Sequence, residues 1–172
     1  VPSVSLPNEA FSVKGGLELE KNGFDLRKVE FELGGATGTV DGRISANSKL
    51  DGTELGFDLS GPSLSRADSL VPSFDLPDAA FSATGGVTVS GGIVGLDHLI
   101  LGLADTTATI DGHVAPGPGL IGTSVHASIE GPNIDQFVTL IDDSIARDLP
   151  TLPAKPFSVA GDLTIDETGH HL

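Results

Sequence analysis

The chain has 172 residues, with 24 Asp and Glu against 9 Lys and Arg and a formal charge of -15, a balance that excludes the basic faces with which proteins bind nucleic acid. It contains no Cys, which excludes disulfide frameworks, thiol catalysis and thiolate metal sites. With 23 Gly, 11 Pro and 38% hydrophobic residues, it reads as a turn-rich chain that folds rather than a disordered one.

Apolar and polar residues alternate along Leu17-Glu18-Leu19, Val29-Glu30-Phe31-Glu32-Leu33 and Leu55-Gly56-Phe57-Asp58-Leu59, the period of strands with one apolar face. Four strands are predicted first, at about 10–20, 24–33, 37–46 and 53–60, with Asn22-Gly23 as a positive-φ hairpin and Asp51-Gly52 opening the last hairpin. After Ser63, Leu64, Ala67 and Val71 give one or two helical turns. The same order follows at about 80–90, 94–103, 107–115 and 123–130, with Gly91-Gly92 as the hairpin. Beyond Gly131-Pro132, the residues Ile134, Phe137, Val138, Ile141 and Ile145 take helical spacing. A helix is therefore predicted over 133–148, capped by Asn133 and with Gln136 completing a capping box. Short connections make the strands an antiparallel meander.

The two sets of elements are copies of one another. Leu6-Pro7, Ala10-Phe11-Ser12 and Gly15-Gly16 return 70 residues later as Leu76-Pro77, Ala80-Phe81-Ser82 and Gly85-Gly86. Asp41-Gly42, Gly52-Thr53 and Gly61-Pro62 return in the same way, and 18 of 60 positions are identical over residues 6–65. A third copy opens at Leu152-Pro153 with Phe157-Ser158. The organisation is thus repeat 1 at 6–75, repeat 2 at 76–151 and the start of repeat 3 at 152–172. Such units bury their apolar faces by stacking, and a chain that contains no Met is expected to be a section of a longer array.

The fold class expected is all-β with short helices, a repeated antiparallel β-meander. Each repeat has more apolar strand face than one short helix covers. Either an elongated sheet curls into a groove with an apolar wall (a β-taco), or two sheets close as a β-sandwich; periodicity leaves both open. The groove wall would comprise Leu17, Leu19, Leu26, Val29, Phe31 and Leu33, with Val87, Val89, Leu96, Leu99, Leu101 and Leu103 as counterparts; in a sandwich the same residues form an ordinary core. Large exposed apolar surfaces mark interaction sites. Strands of about seven residues would give a groove about 23 Å wide, and nine or ten strands a sheet about 45 Å long.

Motifs that carry chemistry are missing from the sequence: no G-x-S-x-G elbow, no Gly-rich phosphate loop, no H-E-x-x-H and no EF-hand run. The residues His98, His113, His126, His170 and His171 fall into no ligand spacing, and Asp142-Asp143 reads as a solvated helix face. The expectation is no enzyme, no metal and no cofactor. No run approaches 18 apolar residues, so any membrane anchor would lie outside this segment.

The order of short motifs adds a family resemblance. Leu76-Pro77-x-x-x-Phe81-Ser82-x-x-Gly85, then Leu96-Asp97-His98-Leu99, Ile110-Asp111-Gly112 and Gly131-Pro132-Asn133-Ile134-Asp135 resemble the AsmA-like, TamB-type repeat of Gram-negative envelope proteins. The resemblance spans Leu6 to Leu172. It implies a periplasmic protein, anchored in the inner membrane, whose curled sheet holds or conducts phospholipid between the inner and outer membranes and supports outer-membrane assembly. It implies phospholipid or another acyl-chain lipid as partner, and both membranes through regions outside this chain. The alternative is a structural repeat module of a secreted or cell-surface protein, without ligand. The edge strand left uncovered at the truncated third repeat would invite pairing with another copy.

Overall fold

The computed structural model describes residues 11–67, 76–141, 153–166 and 169–171. One antiparallel sheet takes ten strands in sequence order: β1 (Phe11–Glu20), β2 (Gly23–Leu33), β3 (Ala36–Ser45), β4 (Thr53–Gly61), β5 (Phe81–Ser90), β6 (Ile93–Leu103), β7 (Thr106–Val114), β8 (Thr123–Gly131), β9 (Phe157–Asp166) and the short β10 (Gly169–His171). A 3₁₀ turn at Leu64–Ala67 follows β4, another at Pro118–Leu120 lies between β7 and β8, and α1 (Ile134–Ile141) follows β8. The sheet is open: β1 pairs only with β2, and no second sheet faces it among the described residues. The meander is present as expected from the alternation, and the closed sandwich does not form.

Strand limits lie within one residue of those predicted. At 9–11 residues, however, β1–β9 are longer than the seven used for the width. The sheet is therefore about 30 Å along the strands rather than 23 Å.

Alternation alone would turn part of β2 and β6 inside out, because Leu26 and Val29, like Leu96 and Leu99, are three residues apart. Bulges correct this. The β2–β3 register shifts between Leu26 and Val29, and the β6–β7 register between Leu96 and Leu99. The extra residue in each takes a positive φ, 45° at Lys28 and 50° at His98. The extra residue absorbs the odd spacing and returns the next apolar side chain to the same face. Other backbone features recur at the 70-residue offset, including φ of 120° at Gly42 and 133° at Gly112, and 56° at both Leu50 and Leu120.

Gly91 and Gly92 have φ of 60° and 84°, as the tight hairpin requires. Asn22-Gly23 differs from its prediction. Neither residue has positive φ; Gly23 begins β2, where a Cβ would lie 2.2 Å from the Ile44 carbonyl oxygen. That glycine serves close strand approach, not the turn.

The helix after Gly131-Pro132 begins as predicted, with the Gln136 amide donating to Asn133 Oδ1 at 3.2 Å. Its described part ends at Ile141; Ile145, Asp142 and Asp143 lie outside the described residues, as do Leu6, Val71 and Leu152. Where repeat 2 has α1, repeat 1 has the four-residue 3₁₀ turn.

Candidate functional site

The strand register sorts the side chains into two unlike faces. Five rows cross β1–β9 on one face. The central row runs Gly15, Val29, Val40, Phe57, Gly85, Leu99, Ile110, Ala127 and Gly161, and the next runs Leu17, Leu26, Gly42, Leu55, Val87, Leu96, Gly112, Val125 and Leu163. Every position in the five rows is apolar, Gly or Thr, and none is charged. Hydroxyls occur only at Thr53, Thr106 and Thr123, all buried.

All twelve residues expected to line a groove lie on this face: Leu17, Leu19, Leu26, Val29, Phe31, Leu33, Val87, Val89, Leu96, Leu99, Leu101 and Leu103. Contributions from β3, β4 and β7–β9 were not among the expected residues: Val40, Phe57, Leu59, Ile110, Ile129 and Leu163. The alternation Leu55-x-Phe57-x-Leu59 already signalled three positions of this kind.

No second sheet covers this face among the described residues. Among the described residues only Val89 and Ile165 are buried hydrophobics, and no side chain is fully buried. Larger side chains lie across glycines instead: a Cβ at Gly38 would meet the Phe31 ring at 2.8 Å and Leu59 Cδ2 at 2.6 Å. Nine strands at ~4.8 Å spacing and about 30 Å in length give a face on the order of 1,000 Å². The largest apolar patch on a typical monomer is about 300–600 Å², so this is not ordinary surface scatter.

One end of the strands is partly roofed by the helical connections. Leu64 and α1 residue Phe137 line a 290 Å³ apolar cavity with Phe81, Ala83, Leu101, Leu103, Ala108 and Ile129. The Phe137 and Phe157 rings are 5.6 Å apart, which ties α1 to the start of β9.

The opposite face is polar. Over β1–β4 it carries Arg27 paired with Glu18 and, at 3.2 Å, with Asp25, and Arg43 paired with Glu20 at 2.8 Å. Further along, Nδ1 of His98 lies 3.2 Å from Asp111 Oδ1, and Nδ1 of His126 lies 2.8 Å from Asp162 Oδ1. Exposed pairs of this kind contribute ~0–1 kcal/mol each. A 440 Å³ concavity here is lined by Ser12, Lys14, Glu30, Glu32, Thr39 and Asp58 among others; its charged side chains are exposed and stay solvated, so nothing selects a ligand there over water. The apolar face is the stronger candidate.

No protein-family model, curated protein or solved structure matches the chain.

Proposed function

We propose that the apolar face holds acyl chains of phospholipid or a similar lipid, shielding them from water while head groups stay at the rim. The observation that carries this reading is an apolar face of five rows and nine strands, partly roofed at one end only, without one charged side chain. An apolar face suits flexible chains that take no directional hydrogen bond. A chain of about sixteen carbons with half its surface covered would gain roughly 6 kcal/mol at ~0.8 kcal/mol per fully buried CH₂. That corresponds to a dissociation constant of tens of micromolar, tight enough to load and loose enough to pass lipid on.

The resemblance to the AsmA-like repeat supports placing this chain in the periplasm, as a section of a route for phospholipid between the inner and outer membranes. The mechanism needs no covalent step, metal or cofactor.

Leu101 and Ile100 provide an internal control, since they are 37% and 38% exposed on opposite faces of β6. Phosphatidylethanolamine vesicles are incubated with the protein, and retained lipid is read by native mass spectrometry. Wild type and Ile100→Glu should retain lipid, and Leu101→Glu should lose it with the far-UV circular dichroism unchanged. Equal retention by both variants, or none by the wild type, would overturn the proposal and favour a structural module without ligand.

A further inference from the structure

β1, β5 and β9 occupy the same place in three successive copies, yet among the described residues only β5 and β9 are covered on both edges. β4 pairs with β5 from Thr53 opposite Val89 to Gly61 opposite Phe81, and β8 pairs with β9 from Thr123 opposite Ile165 to Gly131 opposite Phe157. Two anchors recur in these pairs. At one end the amides of Gly52 and Gly122 donate to the carbonyls of Val89 and Ile165, each at 2.8 Å. The buried threonine that follows each glycine lies alongside, and Val89 and Ile165 are only 9% and 6% exposed. At the other end the Phe81 and Phe157 rings lie across Gly61 and Gly131, where a Cβ would meet ring carbons at 2.6 and 2.7 Å.

β1 has both receiving halves and neither donor. Leu19 stands where Val89 and Ile165 stand and is 76% exposed. Phe11 stands where Phe81 and Phe157 stand, and it too is largely exposed. β1 has no proline, its charged residues Lys14, Glu18 and Glu20 belong to the polar face, and its bulge after Lys14 is matched after Thr84 in the interior strand β5. β1 is built as an interior strand with one neighbour among the described residues.

We infer that the free edge of β1 is a docking site for one antiparallel strand of the pattern Gly-Thr-x-apolar-x-apolar-x-apolar-x-Gly, supplied by a polypeptide outside this sheet. Its threonine lies opposite Leu19 and its last glycine receives the Phe11 ring. Backbone hydrogen bonds supply the attraction, and the two anchors fix register and direction. A folded second copy cannot donate such a strand, because its β4 and β8 are paired on both edges. The docked strand would add its own apolar residues to the face, but the inference does not depend on lipid.

The test uses labelled ten-residue peptides with the sequences of residues 52–61 and 122–131, titrated against the whole chain by fluorescence anisotropy, with hydrogen exchange locating the contact. The expected result is saturable one-to-one binding that slows exchange in Phe11–Glu20. Changing the last glycine of the peptide to valine, or Leu19→Asp in a protein with unchanged circular dichroism, should weaken binding by about tenfold or more. Binding no stronger than that of a scrambled peptide, protection elsewhere than β1, or a β1–β1 dimer that the peptides do not dissociate would overturn the inference.

Discussion

Thr53 and Thr123 lie on an apolar face and are among its best-buried residues. Each Oγ1 accepts a hydrogen bond across a loop, from the Ser45 amide at 3.0 Å and from the Ala115 amide at 3.1 Å. Valine would fill the same space but leave the amide without an acceptor, at a cost of ~1–3 kcal/mol. Thr53→Val and Thr123→Val should each lower the unfolding free energy in urea by about 1–2 kcal/mol, while the serine variants, which keep the oxygen, lose less. Equal losses for valine and serine would assign the effect to packing. Gly42 and Gly112 also depend on three-dimensional context. In sequence each follows Asp and resembles a turn or bulge former, but both lie inside strands, where a Cβ would come within 2.2 Å of the carbonyl oxygens of Glu54 and Ser124.

Among the elements, the strands were legible because period-two alternation and its punctuation coincide. The spacing apolar-x-x-apolar at Leu26–Val29 and Leu96–Leu99 was visible as a motif, but its cause was not. A bulge is a property of two strands in register, and of the residues that absorb it Lys28 carries no side-chain signal for positive φ and His98 only a weak one. The start of α1 was legible through Asn133 and Gln136. Asn133→Ala removes the acceptor for the Gln136 amide and should destabilise the helix by about 1 kcal/mol. Because Phe137 lines the 290 Å³ cavity, this variant should also speed hydrogen exchange in α1 and at the start of β9; exchange unchanged in both would show that the cap does not hold this end.

At the scale of the whole molecule, a single uncovered layer has thermodynamic consequences. A compact domain of 172 residues unfolds with a heat-capacity increment of about 2.1–2.6 kcal/mol/K at ~12–15 cal/mol/K per residue. Here much of the apolar surface is already in water in the folded state, so calorimetry on the lipid-free chain should give a clearly smaller increment. A full-sized increment would mean that the face is closed in solution. The net charge of -15 favours solubility, and among the described residues the charged side chains of the strands lie on the polar face, which leaves the apolar face electrically neutral across its whole width.

The sequence by itself determined the all-β class, the strand limits, the 70-residue recurrence and which residues are apolar, because each follows from local periodicity and turn chemistry. Only the tertiary structure decided that the sheet is open, that the twelve expected residues and their partners from every other long strand share one face, and that β1 lacks the neighbour its counterparts have. These depend on register and bulges, through which a one-residue shift moves a side chain to the opposite face. They depend also on long-range pairing, since the same alternating strands would serve a closed sandwich equally well.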